Sequence, residues 1–231
     1  VLRLGAVGRV GRVGRAGGRP IPVRARATHK KLKYMLENHI YHVYNRGNNR
    51  QPIFFSRENY LFFLKKVRNH LLPICDILAY CLMPNHFHFL IKADTRTVAQ
   101  VARSNRDIAI TAFSKGVRTL LSSYTQAIQK QENMSGSLFQ QKTKYKQVSS
   151  EWKWEDYTLV CFRYILQNPV TAGIATHPAD WEFSSYRDLA GLREGNLCNK
   201  LLINNELSLD FIQLEDLVGI PLKPDELDKI W

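Results

Sequence analysis

A chain of 231 residues with 45% hydrophobic and 11% aromatic residues can bury an ordinary globular core, which excludes a fibrous or wholly disordered polymer. No apolar run approaches the ~18 residues that span a bilayer, so no membrane partner is expected. The net charge of +13 is uneven: residues 1–36 hold ten Lys and Arg and no acid, residues 200–231 hold three Lys against seven acids, and the middle keeps a moderate +7.

Residues 1–36 repeat a Val-Gly-Arg unit from Val7 to Arg15. Gly and Arg at this density cannot form a packed element, so a disordered basic tail is expected. The sharper alternative is a flexible arm on phosphates. From residue 38 periodicity takes over. Ile40, His42 and Tyr44 alternate with Tyr41, Val43 and Asn45 as a strand, and Asn45 to Asn49 break it with turn residues. Ser56 is a plausible N-cap for a helix in which Tyr60, Phe63, Leu64 and Val67 recur toward His70. Cys75 to Met83 reads as a second strand, Pro84-Asn85 as a tight turn, and His86 to Lys92 as a third strand.

A short helix is expected from Thr97 to Arg103, then a long one to about Lys130 with an apolar stripe of Phe113, Val117, Leu120, Leu121, Tyr124 and Ile128. Gln141 to Val148 reads as a fourth strand. A helix from Trp154 to Gln167 should end at Asn168, because Pro169 disfavours helical geometry in the residue before it. The order strand, helix, strand, strand, helix, strand predicts an α+β, ferredoxin-like (split βαβ) antiparallel sheet with helices on one face and a functional helix after the fourth strand. The expected domains are a tail over 1–36, a single domain over 37–189 and a small helical appendage over 190–231. Four scattered cysteines, Cys75, Cys81, Cys161 and Cys198, form no CxxC pair and read as reduced thiols of a cytoplasmic protein.

Three groups of residues could carry chemistry. Alternate side chains of a strand share a face ~6.6 Å apart, so His86 and His88 project the same way and could reach one ion. A packed pair of histidines is the competing reading, and spacing does not choose between them. Tyr164 and Asn168 lie four apart on one helix face. A phenol with a pKa of ~10 is a poor nucleophile, and needs a strongly polarised electrophile such as a metal-bound phosphate. The alternative has Tyr164 packed under the sheet and Asn168 capping the helix. Lys142, Lys144 and Lys146 alternate on the fourth strand, with Arg46 and Arg50 near the first loop and aromatics Phe139 and Tyr145 interleaved. That pattern suits backbone contacts and base stacking, or it simply protects an edge strand from aggregation. No acid lies between Pro84 and Ala93 or between Val160 and Gly173, which disfavours a carboxylate-held two-metal nuclease.

The ordered set Tyr41-His42-Val43, Asn45-Arg46-Gly47, Met83-Pro84-Asn85-His86-Phe87-His88, Gly136 to Gln140, Arg163-Tyr164-Ile165 with Asn168-Pro169-Val170 and Gly173, and Trp181 to Tyr186 resembles the single-tyrosine HUH transposases. The nearest group is the REP-associated tyrosine transposases. The resemblance covers about residues 38–188. It implies metal-dependent nicking and rejoining of single-stranded DNA at hairpins bordering repeats, through a 5′-phosphotyrosine intermediate. It also implies Tyr164 as nucleophile, with His86, His88 and Asn168 holding Mg2+ or Mn2+. Arg46, Arg50, Lys142, Lys144 and Lys146 would contact DNA. Gln167 is a weaker third ligand and Tyr124 a runner-up nucleophile. The protein would act in the cytoplasm near the nucleoid, as monomer or homodimer. The competing class is a non-catalytic module that binds a single strand on the same sheet.

Overall fold

The computed structural model describes residues 35–104, 109–150 and 156–228. The basic tail expected over 1–36 lies, but for its last two residues, outside them. Strand β1 (Ile40–Arg46) sits inside a four-stranded sheet between β3 (His86–Lys92) and β6 (Lys144–Gln147), and β2 (Asp76–Met83) pairs with the outer side of β3. Every pairing is antiparallel, in the order β2-β3-β1-β6, which is the ferredoxin-like arrangement. The β1–β3 register runs without a break from Ile40 opposite Lys92 to Arg46 opposite His86. It therefore fixes which side chains share a face.

One face carries Val43, Phe87 and Phe89 and is covered by α1 (Arg57–His70) and α3 (Ala112–Gln131). Phe63 of α1 stands 5.3 Å from Phe87 and 4.9 Å, edge to face, from Tyr124 of α3. Such pairs add to the burial of large rings. Asn59 secures the start of α1, where its side-chain oxygen accepts from the backbone N–H groups of Phe55 and Ser56. The other face carries His42, Tyr44, His86 and His88, and α4 (Thr158–Thr171) lies across it. Two helices thus cover the expected face, while the helix after the fourth strand covers the opposite one.

Three local expectations give way. The helix predicted from Thr97 to Arg103 is only α2 (Thr95–Val98), capped by Asp94, and β4 (Gln100–Arg103) follows, paired with β5 (Ala109–Thr111). A short run of mixed residues has no periodicity that separates strand from helix, and pairing decides it. The fourth strand is shorter than Gln141 to Val148, so Lys142 precedes it. Helix α4 runs through Pro169 to Thr171 rather than stopping at Asn168. Ten of its residues from Thr158 to Pro169 are buried, and that packing outweighs the one backbone hydrogen bond the proline cannot make.

The chain beyond α4 protects the sheet. The backbone of Leu82 donates to Phe183 at 2.9 Å, Ser185 donates to Tyr80 at 2.9 Å, and Asn199 donates to Ile77 at 2.8 Å. These bonds occupy the open edge of β2, which would otherwise invite pairing with another chain. Arg193 ties this segment down through Asp188, the Tyr80 hydroxyl and the carbonyls of Glu182 and Ser184. The segment includes α5 (Tyr186–Leu189) and is followed by α6 (Lys200–Leu207), α7 (Leu214–Gly219) and α8 (Pro224–Asp228). Among the described residues, no helix is long and apolar enough to cross a membrane.

Candidate active site

Strand alternation places His86 and His88 on the face crossed by α4, their ring centroids 4.9 Å apart and nearly perpendicular. Tyr164 of α4 brings its ring to 5.4 Å from His88 and 6.0 Å from His42. One turn later, Asn168 sets its Oδ1 3.3 Å from His86 Nε2. The same side chain bears on the Tyr164 phenol, whose pKa it lowers against burial. Helical spacing of four and strand spacing of two thus meet at one place between sheet and helix.

The polarity of these groups is informative. Asn85, in the turn between β2 and β3, holds its Oδ1 2.6 Å from His86 Nδ1 and donates through Nδ2 to the Arg50 carbonyl at 3.3 Å. An amide oxygen only accepts, so the proton of a neutral His86 belongs on Nδ1. Burial pushes the His86 pKa down to about 4, opposed by the Asn168 contact and helped by the Arg46 charge. Near neutral pH, His86 Nε2 therefore carries a lone pair facing another lone pair, on Asn168 Oδ1. A cation between them turns that repulsion into coordination. Two donors ~2.1 Å from one ion at right angles stand roughly 3.0 Å apart, so this pair suits a metal.

His88 is fully buried, and burial holds its pKa well below the usual histidine range, with His42, His86 and Arg46 adding to the effect. A neutral imidazole is what a metal requires. Among the described residues, no three His, Cys, Asp or Glu side chains gather as a metal site. The third donor of this set is an amide. Tyr164 is 6% exposed, and burial pushes its phenol up, with the Asn168 amide opposing. The phenol is thus protonated near neutral pH.

No protein-family model matches the chain, and no curated protein matches it. Among solved structures it is similar to a REP-associated tyrosine transposase bound to a REP hairpin. The TM-score is 0.47 at 19% identity, over 73% of this chain and 92% of that one.

The remaining sequence candidates fall in distinct places. Arg46 ends β1 opposite His86, and its charge bears on His86, His88 and Tyr164. Lys144 and Lys146 share that face through their pairing with Tyr44 and His42, and the Lys144 ammonium lies 5.7 Å from the centre of the Tyr44 ring. Lys146 is half-buried, and burial lowers its pKa. Lys142 and Arg50 are exposed, one before the strand and one in the turn after β1. That turn needs Gly47, where an added Cβ would come within 2.0 Å of the Gln51 carbonyl oxygen. Gln167 points away from the histidines and donates to the carbonyls of Val218 and Ile220, so it braces the C-terminal segment and does not reach the site. Tyr124 is buried on the opposite face, its hydroxyl donating to the Ile53 carbonyl at 2.6 Å. Sequence reasoning gave His42 and Asn85 no role at the site, although each contacts a candidate ligand.

Proposed function

We propose that the protein is a metal-dependent, tyrosine-using transposase that nicks and rejoins single-stranded DNA at hairpins bordering repeats. The observation that carries this reading is the cluster in which His86 neighbours both Asn168 and His88, with the Tyr164 ring 5.4 Å from His88. The motif resemblance across residues 38–188 supplies the substrate class. His86, His88 and Asn168 would hold Mg2+ or Mn2+, and nitrogen ligation suits manganese at least as well as magnesium. When bound, the ion polarises the scissile phosphate and eases departure of the leaving oxygen.

The chain's own residues do the rest. Asn168 favours the ionised phenol, and Arg46 brings positive charge to the phosphate. Tyr164 Oη bonds to phosphorus and the bond from phosphorus to the 3′ oxygen breaks. The phenolic proton passes through solvent to that oxygen, leaving a 5′-phosphotyrosine and a free 3′-hydroxyl. One phosphodiester is exchanged for another, so a 3′-hydroxyl attacking the same phosphorus rejoins the strand without ATP. Arg46, Lys144 and Lys146 line the same face, where they can follow a sugar-phosphate backbone.

The burial of Tyr164 favours a second reading, a module that binds the strand without cutting it. One experiment separates the two. A labelled hairpin oligonucleotide with single-stranded flanks is incubated with the protein and manganese, then denatured. A covalent adduct that disappears with Tyr164→Phe supports the enzyme. Tight binding with no adduct in the wild-type protein supports the module and ends the enzymatic proposal.

A further inference from the structure

Neither candidate imidazole ligand stands alone. His86 leans on Asn85 through Nδ1, and His88 leans through the same atom on His42 of the neighbouring strand, whose Nε2 is 2.8 Å away. The two rings lie edge to edge, centroids 5.0 Å apart and planes 25° from parallel, as a hydrogen bond in the ring planes requires, and both residues are fully buried. The register explains the meeting. Tyr44 pairs with His88 and His42 with Leu90, so His42 reaches His88 on the diagonal across the strands.

Between two imidazole nitrogens at this distance a single proton can sit. If it rides on His42 Nε2, His88 Nδ1 accepts and Nε2 of His88 carries the other proton, which a metal cannot share. If it rides on His88 Nδ1, then His88 Nε2 keeps its lone pair. We infer that His42 is a positioning residue, accepting a hydrogen bond from His88 Nδ1 and thereby fixing the tautomer in which His88 presents Nε2 as a ligand. The inference rests on the metal reading of the site, and it gives both histidines one design, since Asn85 compels the same tautomer in His86. Partners of this kind beyond the ligands commonly set imidazole tautomer and affinity. A packing role for His42 alone would be met equally well by an aromatic ring such as Phe.

The test reads the tautomer directly in the metal-free protein. Nitrogen-15 NMR of histidine-labelled protein should show His88 protonated at Nδ1, with scalar coupling across the hydrogen bond to His42 Nε2. His42→Phe should release that preference and weaken manganese binding, measured by calorimetry, by roughly ten- to a hundredfold. His42→Gln, whose side-chain oxygen can still accept, should retain the Nδ1–H form and bind within a few-fold of wild type. A wild-type His88 protonated at Nε2, or undiminished manganese affinity in folded His42→Phe, overturns the assignment. If His42→Phe does not fold, the wild-type tautomer and the His42→Gln affinity decide. A wild-type protein that takes up no manganese yet carries the proton on His88 Nδ1 removes the metal reading and leaves the hydrogen-bond assignment standing.

Discussion

Asn168 sets its Oδ1 3.3 Å from His86 Nε2 and lowers the pKa of the Tyr164 phenol one turn earlier, whereas its neighbour Gln167 faces the C-terminal segment. Adjacent amides on one helix therefore have different roles. Replacing Asn168 by Ala should lower manganese affinity by about tenfold or more and abolish the DNA adduct. Replacing Gln167 by Ala should leave manganese affinity within a few-fold. It should instead cost about 1–3 kcal/mol of stability, because the buried Val218 carbonyl loses its side-chain donor, whereas that of Ile220 keeps Arg163. Calorimetric manganese titrations and urea unfolding of the two variants check the pair. The reverse pattern would transfer the ligand role to Gln167.

Tyr164 and Tyr124 make a second matched pair. Tyr164→Phe removes the phenol beside the histidines and should eliminate the adduct while leaving manganese binding intact. Tyr124→Phe should keep the adduct and lose about 1–2 kcal/mol of stability, since its buried hydroxyl donates to Ile53 at 2.6 Å. Gel electrophoresis of denatured reactions and thermal unfolding are the readouts. An adduct surviving in Tyr164→Phe and missing in Tyr124→Phe would reverse the assignment.

Acid should destabilise the metal-free fold through the same histidines. An unfolded His86 takes its proton near pH 6.5, and the folded one does so only near about 4. Between those values the unfolded chain binds more protons, so stability falls as pH falls. Above the window the group contributes no slope, and below it the loss is complete. The loss is about 3 kcal/mol, an order-of-magnitude figure. His88 acts in the same direction. Urea unfolding of wild type and His86→Gln from pH 7 to pH 4 isolates this contribution. His86→Gln should lose less stability over that range, and equal slopes would contradict the buried, neutral imidazole.

The sheet was legible because its signals are local. Alternation in Ile40 to Asn45, the Pro84-Asn85 turn and the β3 run with His86 and His88 on one side and Phe87 and Phe89 on the other needed only a period of two. The pairing of His42 with His88 was not legible, because diagonal contacts depend on register between strands 46 residues apart in sequence. The hairpin in place of the predicted helix at Thr97 to Arg103 was hidden for the same reason: strand pairing is a property of two segments. Pro169 misled because a local preference was read without the burial that overrides it. The role of Gln167 depended on Val218 and Ile220, about fifty residues away, and no local pattern announces such a contact.

Charge should sort the basic residues by distance from the site. Arg46 faces His86 across the β1–β3 register, and its charge is felt at His86, His88 and Tyr164. Lys142 is exposed and precedes β6, outside the strand that carries Lys144 and Lys146. Removing one cation that pairs with a phosphate of a single strand should reduce the slope of log affinity against log salt by about 0.7. Arg46→Ala should show that reduction together with a drop in adduct yield, because its charge bears on the residues of the proposed site. Lys142→Ala should change neither by much. Fluorescence anisotropy of a labelled hairpin across about 50–200 mM salt, paired with adduct yield at saturating protein, gives both numbers. An Arg46→Ala variant with normal adduct yield and only a shallower salt slope would place Arg46 on a distant phosphate instead.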